Sequence, residues 1–166
     1  MGPDVTGGPQ RHRHDFMGVA RVAGPRHPAT MSPEQVRTVV VDGNNVIGSV
    51  ADGWWRDRPK AARRLLARLQ RYQQGAGDTV VLVLDVPQPD LPTGVHDGVE
   101  VVYPRRKGRD AADERILELL DERDLGPPAD VEVVTSDRAL AGGAVDRGAR
   151  VTGARTFLTR LDDAGC

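Results

Sequence analysis

Thr38-Val39-Val40-Val41 is a β-branched run that stops at Asp42, and Gly43-Asn44-Asn45 follows it. The pattern recurs: Val80-Val81-Leu82-Val83-Leu84 ends in Asp85, and Val133-Val134-Thr135-Ser136 ends in Asp137. Working outward, strands are expected at Thr38–Val41, Thr79–Leu84, Val99–Tyr103, Val131–Thr135 and around Val151. Between them lie amphipathic stretches. Ala62, Leu65, Leu66, Leu69 and Tyr72 keep helical spacing behind Pro59, and Gly75 and Gly77 mark the stop. A second helix is expected over Asp110–Arg123, burying Ala112, Ile116, Leu119 and Leu120, a third over Arg138–Arg147 and a fourth over Ala154–Leu161. Strands alternating with helices predict an α/β fold: a Rossmann-like, mostly parallel sheet of four to five strands flanked by helices on both faces.

In an open α/β sheet, ligands bind beyond the carboxyl ends of the strands. Three expected strands each deliver an aspartate to that edge: Asp42, Asp85 and Asp137. The helix beginning near Asp110 adds Asp110, Asp113 and Glu114, whose spacings of three and four share a helix face. Carboxylates packed this closely repel one another, and a hard divalent cation resolves the repulsion. Oxygen donors with no cysteine or histidine at the strand ends favour Mg²⁺ or Mn²⁺ over zinc. Two such ions about 4 Å apart promote in-line phosphodiester hydrolysis, leaving a 5′-phosphate and a 3′-hydroxyl. Plainer roles stand beside this one. An aspartate after a strand is often a turn former or helix cap, Asp110 could cap its helix, and an acidic pocket can hold one structural Mg²⁺ without hydrolysis.

The whole chain has 166 residues, with 23 Lys+Arg against 24 Asp+Glu and 39% hydrophobic residues. That size fits one core, here placed at residues 36–166. Residues 1–35 hold five Gly and five Pro without apolar periodicity, so they are expected to form a disordered tail or to come from an upstream start. The longest aliphatic run falls far short of the roughly 20 apolar residues of a membrane span. A single cysteine, Cys166, rules out an internal disulfide framework and suits a cytoplasmic location. No Gly-rich phosphate loop follows any expected strand, which disfavours nicotinamide and P-loop chemistry.

The segment Val41-Asp42-Gly43-Asn44-Asn45-Val46-Ile47-Gly48 resembles the D-G-x-N opening of NYN domains, the YacP-like nucleases of the PIN-like superfamily. The likeness continues in Val99–Tyr103, in Ala112-Asp113-Glu114-Arg115-Ile116 and in Val134-Thr135-Ser136-Asp137, in the family's order over Val36–Asp162. It implies a PIN-like fold, Mg²⁺- or Mn²⁺-dependent endoribonuclease activity, ligands at Asp42, Asp113 and Asp137, and a positioning role for Asn45. It extends less directly to Asp85 and Asp110. The family's often aromatic third position is Asn44 here, and a Pro-rich loop with Pro87, Pro89 and Pro92 follows Asp85.

Charge is segregated along the chain. Arg105, Arg106, Lys107 and Arg109 form an acid-free cluster just before the acidic helix, placed to grip RNA phosphates. Arg56, Arg58, Lys60, Arg63, Arg64, Arg68 and Arg71 fit the solvated face of a helix better than a binding stripe. Trp54 and Trp55 could stack on unpaired bases, although one of two adjacent indoles more often packs as partial core. His96, in a Gly/Asp-rich loop, reads as a solvated surface residue. The expectation is an RNA-cleaving enzyme with no membrane association. The alternative is a noncatalytic RNA-binding or ribosome-associated module of the same fold.

Overall fold

The computed structural model describes residues 37–122, 125–127 and 130–166; the expected tail over 1–35 lies outside them. The chain divides into units Met1–Ser32 and Pro33–Cys166, and every described residue belongs to the second. Its strands are β1 Thr38–Asp42, β2 Thr79–Val83, β3 Gly94–His96, β4 Val99–Val102, β5 Val131–Val134 and β6 Arg150–Thr152. Its helices are α1 Gly43–Gly48, α2 Arg58–Ala76, α3 Ala111–Asp121, α4 Arg138–Asp146 and α5 Ala154–Asp163. The strands form one sheet in the spatial order β3-β4-β2-β1-β5-β6. β3 runs antiparallel to β4 and the remaining pairs are parallel. The α/β architecture expected from the sequence is therefore the one observed, with one strand more.

β1 lies at the centre because its residues are buried on both faces. Val39 and Val41 join Leu65, Leu69, Val80, Leu82, Phe157 and Leu161 in a core under α2 and α5. Val40 points the other way and joins Val81, Val83, Val133, Ile116 and Leu140 under α3 and α4. This is the alternation of side chains across a strand, with helices covering both faces. α2 starts where the Asp57 carboxylate accepts the Lys60 amide at 2.9 Å and stops at Gly77, whose φ of 72° ends the helix in the left-handed region. Of the residues expected under α3, Ala112, Ile116 and Leu119 are buried, while Leu120 is partly covered.

Two elements depart from the sequence reading. β3 is only three residues long, and the loop reading of that stretch missed it. Asp97 and Gly98, with φ of 47° and 87°, make the two-residue turn joining it to β4, as hairpin geometry requires. His96 is accordingly a half-buried strand residue whose Nε2 donates to the Pro92 carbonyl at 2.7 Å, rather than a solvated loop residue. α1 was also unforeseen. It leaves β1 at Gly43, where a Cβ would come within 2.7 Å of Leu84 Cδ2 and 2.9 Å of the Val83 carbonyl oxygen. Only glycine lets the chain turn into a helix this close to β2.

Candidate functional site

The sheet order reverses at β1, which has β2 on one side and β5 on the other, so a crevice opens beyond their carboxyl ends. Asp42 closes β1 and is 5% exposed. Its Oδ1 accepts the Asn45 amide at 3.1 Å and its Oδ2 accepts the Thr135 hydroxyl at 2.9 Å. Thr135 Oγ1 also accepts the Asp137 amide at 3.1 Å. Asn45 Oδ1 accepts the Ser136 amide at 2.8 Å, and Ser136 Oγ accepts the Ala154 amide at 3.0 Å. These bonds join the β1–α1 turn to the β5–α4 turn and to the start of α5. The sequence reading quoted Thr135 and Ser136 without giving them a role.

The helix-cap role expected of an aspartate after a strand is taken by Asp42 and Asp137, and the one expected of Asp110 is not. Asp110 stands at the N-cap position of α3 without a side-chain cap bond. Asp137 does cap α4, its Oδ1 accepting the Ala139 and Leu140 amides at 2.8 and 2.9 Å, and Asp42 caps α1 through Asn45. A carboxylate oxygen so engaged keeps further lone pairs for another partner.

Asp113, in the first turn of α3, faces the crevice electrostatically. Loss of hydration, followed by the charges of Asp42, Asp137, Asp110 and Asp85, pushes its pKa up to about 6. Asp42 is raised by burial against the bonds from Asn45 and Thr135, with Asp85 and Asp137 adding to the rise. Asp85 is raised by desolvation, opposed by a hydrogen bond with Asn44 and by the charge of Arg58. Four of the expected carboxylates thus act on Asp113 at this sheet edge, and two of them, Asp85 and Asp137, also act on Asp42. Glu114 is exposed at the next position of α3.

A cation would relieve this mutual repulsion, and the all-oxygen donor set has the chemistry of a hard divalent ion. Among the described residues, no three acidic, histidine or cysteine side chains stand close enough together to hold an ion by themselves. The set fits an ion held by one or two carboxylates, with waters and substrate oxygens completing its shell, which is the habit of Mg²⁺.

The basic residues divide by partner. Arg105 turns onto α3 and pairs with Glu118 and Glu122, which Arg115 also reaches. Among the described residues, Arg106, Lys107 and Arg109 are exposed and take part in no ion pair. On α2, Arg63 pairs with Asp90, Arg64 with Asp52 at 2.6 Å and Arg68 with Asp162 at 2.5 Å. Arg63 and Arg64 lie on the exposed face of α2, as the plainer reading held, whereas Arg68 is mostly covered and also donates to the Leu158 and Cys166 carbonyls, tying α2 to the end of the chain. Arg58 is different: it lies 5.4 Å from the Trp54 ring centroid and acts on Asp85. On the other side of Asn44 and Asn45, an open polar groove runs past Ser49, Ser136, Arg155 and Thr156. Nothing in the local sequence around Arg155 marked it for the site; the pairing of β5 with β6 brings it there.

The family model described as the YacP-like NYN domain matches residues 39–165. Among solved structures, the chain is similar to Rae1 (YacP) from Bacillus subtilis, at 26% identity over 78% of this chain and 76% of that one, with a TM-score of 0.59. A mutant form of the same Bacillus subtilis protein superposes with a TM-score of 0.63, at 25% identity over 78% and 77% of the two chains. No curated protein sequence matches the chain.

Proposed function

Given that the chain belongs to the YacP-like NYN domain family, a nuclease-type family, we propose that it is an endoribonuclease hydrolysing RNA phosphodiester bonds with Mg²⁺ or Mn²⁺. The observation that carries this reading is the placement of Asp42, Asp85 and Asp137 at or just beyond the carboxyl ends of β1, β2 and β5, with Asp110 and Asp113 at the start of α3, so that the other four raise the pKa of Asp113 after its loss of hydration. The ligand set of the reading is drawn from Asp42, Asp113 and Asp137, one or two of which would hold the ion while waters and substrate oxygens complete its shell, with Asp85 and Asp110 in support. When bound, the ion supplies positive charge that activates a water and offsets charge on the phosphate under attack. Asn45 and Thr135 fix the first ligand: the Asn45 amide and the Thr135 hydroxyl hold the two Asp42 oxygens in one orientation. Arg106, Lys107 and Arg109, unpaired beside the start of α3, draw the RNA backbone toward the carboxylates.

Labelled single-stranded RNA incubated with the protein in Mn²⁺, in Mg²⁺ and in EDTA tests the reading. Expected are internal cuts bearing 5′-phosphates, abolished by EDTA. A noncatalytic RNA-binding module is favoured by one observation, the engagement of Asp42 and Asp137 in cap and hydroxyl hydrogen bonds. RNA binding without cleavage in either metal would establish that second reading in place of the first. Among the described residues no helix is long and apolar enough to cross a membrane, and neither reading requires one.

A further inference from the structure

The hydrolysis proposed above uses water as its nucleophile, so the ribose 2′-hydroxyl takes no part in breaking the bond. The carboxylates alone would treat RNA and DNA alike, and a preference for RNA has to come from groups that touch the sugar. One such surface adjoins them. An open groove of about 650 Å³ lies between the end of α1 and the start of α5, lined by Asn44, Asn45, Ser49, Ser136, Arg155 and Thr156, among others. That is room for a nucleotide unit. None of these side chains is acidic, in contrast to the neighbouring crevice.

The lining is open to a ligand. Ser136 is exposed; its Oγ accepts the Ala154 amide at 3.0 Å and keeps its own proton to donate. Ser49 donates to the Val46 carbonyl at 2.7 Å and keeps lone pairs to accept. Thr156 is exposed, and its hydroxyl takes part in no hydrogen bond among the described residues. Arg155 is exposed as well and takes part in no ion pair among the described residues, unlike Arg160 on the same helix, which Glu132 holds. The groove thus offers neutral donors and acceptors around one uncommitted cation. Its inner wall is continuous with the acidic site: Asn45 Oδ1 accepts the Ser136 amide at 2.8 Å, the Asn45 amide donates to Asp42, and Ser136 directly precedes Asp137.

We propose that this groove is a ribose-phosphate subsite, which holds the nucleotide adjoining the scissile bond and selects RNA over DNA. Arg155 takes the phosphate, and the hydroxyls of Ser49, Ser136 and Thr156 take the 2′-hydroxyl. The inference rests on the ribonuclease reading of the neighbouring carboxylates and adds a specificity determinant to it. A 2′-hydroxyl both donates and accepts, so it pairs with a lining hydroxyl in either direction, whereas deoxyribose offers neither group and leaves the lining to water. Arg155 carries no sugar information and supplies charge that holds the backbone in place.

End-labelled oligouridylate and the matching oligodeoxyuridylate are titrated in EDTA, where neither is cut, and fluorescence anisotropy is read over a salt series. The expected result is about fivefold tighter binding of the RNA, the scale of one net hydrogen bond. Ser49→Ala with Thr156→Val should close most of that gap and leave the salt dependence as it was. Arg155→Ala should weaken both probes alike and lower the log-log salt slope by about 0.7, the share of one phosphate contact on a single strand. Equal affinity of the unsubstituted protein for the two probes, a gap that survives the double substitution, or an unchanged slope for Arg155→Ala overturns the subsite. Running both probes in Mn²⁺ separates the two readings. Cleavage of RNA and DNA at equal rates removes the subsite and leaves the hydrolytic reading. Sugar-selective, Arg155-dependent binding without cleavage keeps the subsite and removes the hydrolytic reading.

Discussion

Thr135 donates its hydroxyl to Asp42 across 2.9 Å, linking the end of the central strand to the residue that follows β5. The same oxygen accepts the Asp137 amide, so one hydroxyl sets the relation between two candidate metal ligands. Thr135→Val keeps the shape and removes both bonds. The expected loss is about 2 kcal/mol in urea unfolding, since a hydrogen bond to a buried carboxylate is among the stronger kind. Mn²⁺ affinity should fall as well, and Thr135→Ser should restore both. A Val variant with wild-type stability and metal affinity would remove the positioning role.

Asp113→Asn should separate site chemistry from structure. Unlike Asp42 and Asp137, whose oxygens anchor backbone amides, Asp113 sits in a repelling field dominated by desolvation and four neighbouring charges. The amide keeps the volume and drops the charge, so melting temperature in EDTA should hold or rise. Cleavage, and the rise in melting temperature that Mn²⁺ gives the wild type, should both be lost. A destabilised variant that still cleaves RNA would overturn the assignment.

Asp113 and Glu132 pull the pH dependence of stability in opposite directions, and Asp42 and Asp85, whose pKa values are also raised, act with Asp113. Asp113 takes up its proton in the folded chain at about pH 6, above the ordinary 3.8, so its charge weakens the fold above about pH 6. As pH falls from 6 toward 3.8, the folded state holds a proton that the unfolded chain lacks, and stability rises. For Glu132, burial pushes upward, but two Arg160 hydrogen bonds at 2.8 and 2.9 Å and one from Thr152 prevail and hold its pKa low. Its contribution is full above 4.5 and is lost as pH falls through the lowered folded value. In EDTA, thermal stability should therefore climb as pH falls through about 6 and turn down only below 4.5, where Glu132 begins to lose its contribution. Asp113→Asn should flatten the climb and leave the acid drop; an unchanged profile would refute the account.

Gly43→Ala should cost about 2 kcal/mol by overpacking. The added methyl meets two leucine methyl groups, which can shift, and the Val83 carbonyl oxygen, which belongs to the sheet and cannot. Because α1 would be pushed from β2, the Asn45–Ser136 bond should stretch, and activity should fall more than stability alone explains. Chemical denaturation paired with a cleavage assay reads both.

Arg106 and Lys107 replaced together by Ala should flatten the log-log salt dependence of RNA affinity by about 1.4, at roughly 0.7 for each lost phosphate contact on a single strand. Arg105→Ala should leave that slope nearly unchanged, because its guanidinium is occupied by Glu118 and Glu122. Filter binding over a salt series distinguishes the residues. Equal effects from all three would mean that Arg105 lets go of α3 when RNA arrives.

The sheet was legible because its central strands are apolar at nearly every position and each ends in a carboxylate. β3 was not, since its three residues carry no apolar pattern; the readable signal was the Asp97-Gly98 pair, whose positive φ values mark the turn. α1 escaped because its six residues are too few for periodicity and are set by the Asp42 cap and by the space at Gly43. At the site, strand-end position located the aspartates, whereas their bonding depends on which strands become neighbours. Spacing on α3 placed Asp110, Asp113 and Glu114 together, but only the register of the helix against the sheet decides that Asp113 meets the strand-end charges and Glu114 stays in water. Likewise, the basic cluster was visible as composition, but its division into one paired and three unpaired cations needed the third dimension.

The hydrogen bond between Asp42 and Thr135 closes a loop of 93 residues, and β1 meets β5 with Thr38 opposite Val131. Contacts so distant along the chain form late in folding, after α2 and the β3–β4 hairpin have had time to form from local contacts alone. A nascent or truncated chain that stops short of β5 can contain the Asp42, Asp85 and Asp113 side chains and still lack the crevice between β1 and β5. The acidic centre thereby marks completion of the fold: its appearance, followed by metal binding during refolding, times the last long-range step of assembly.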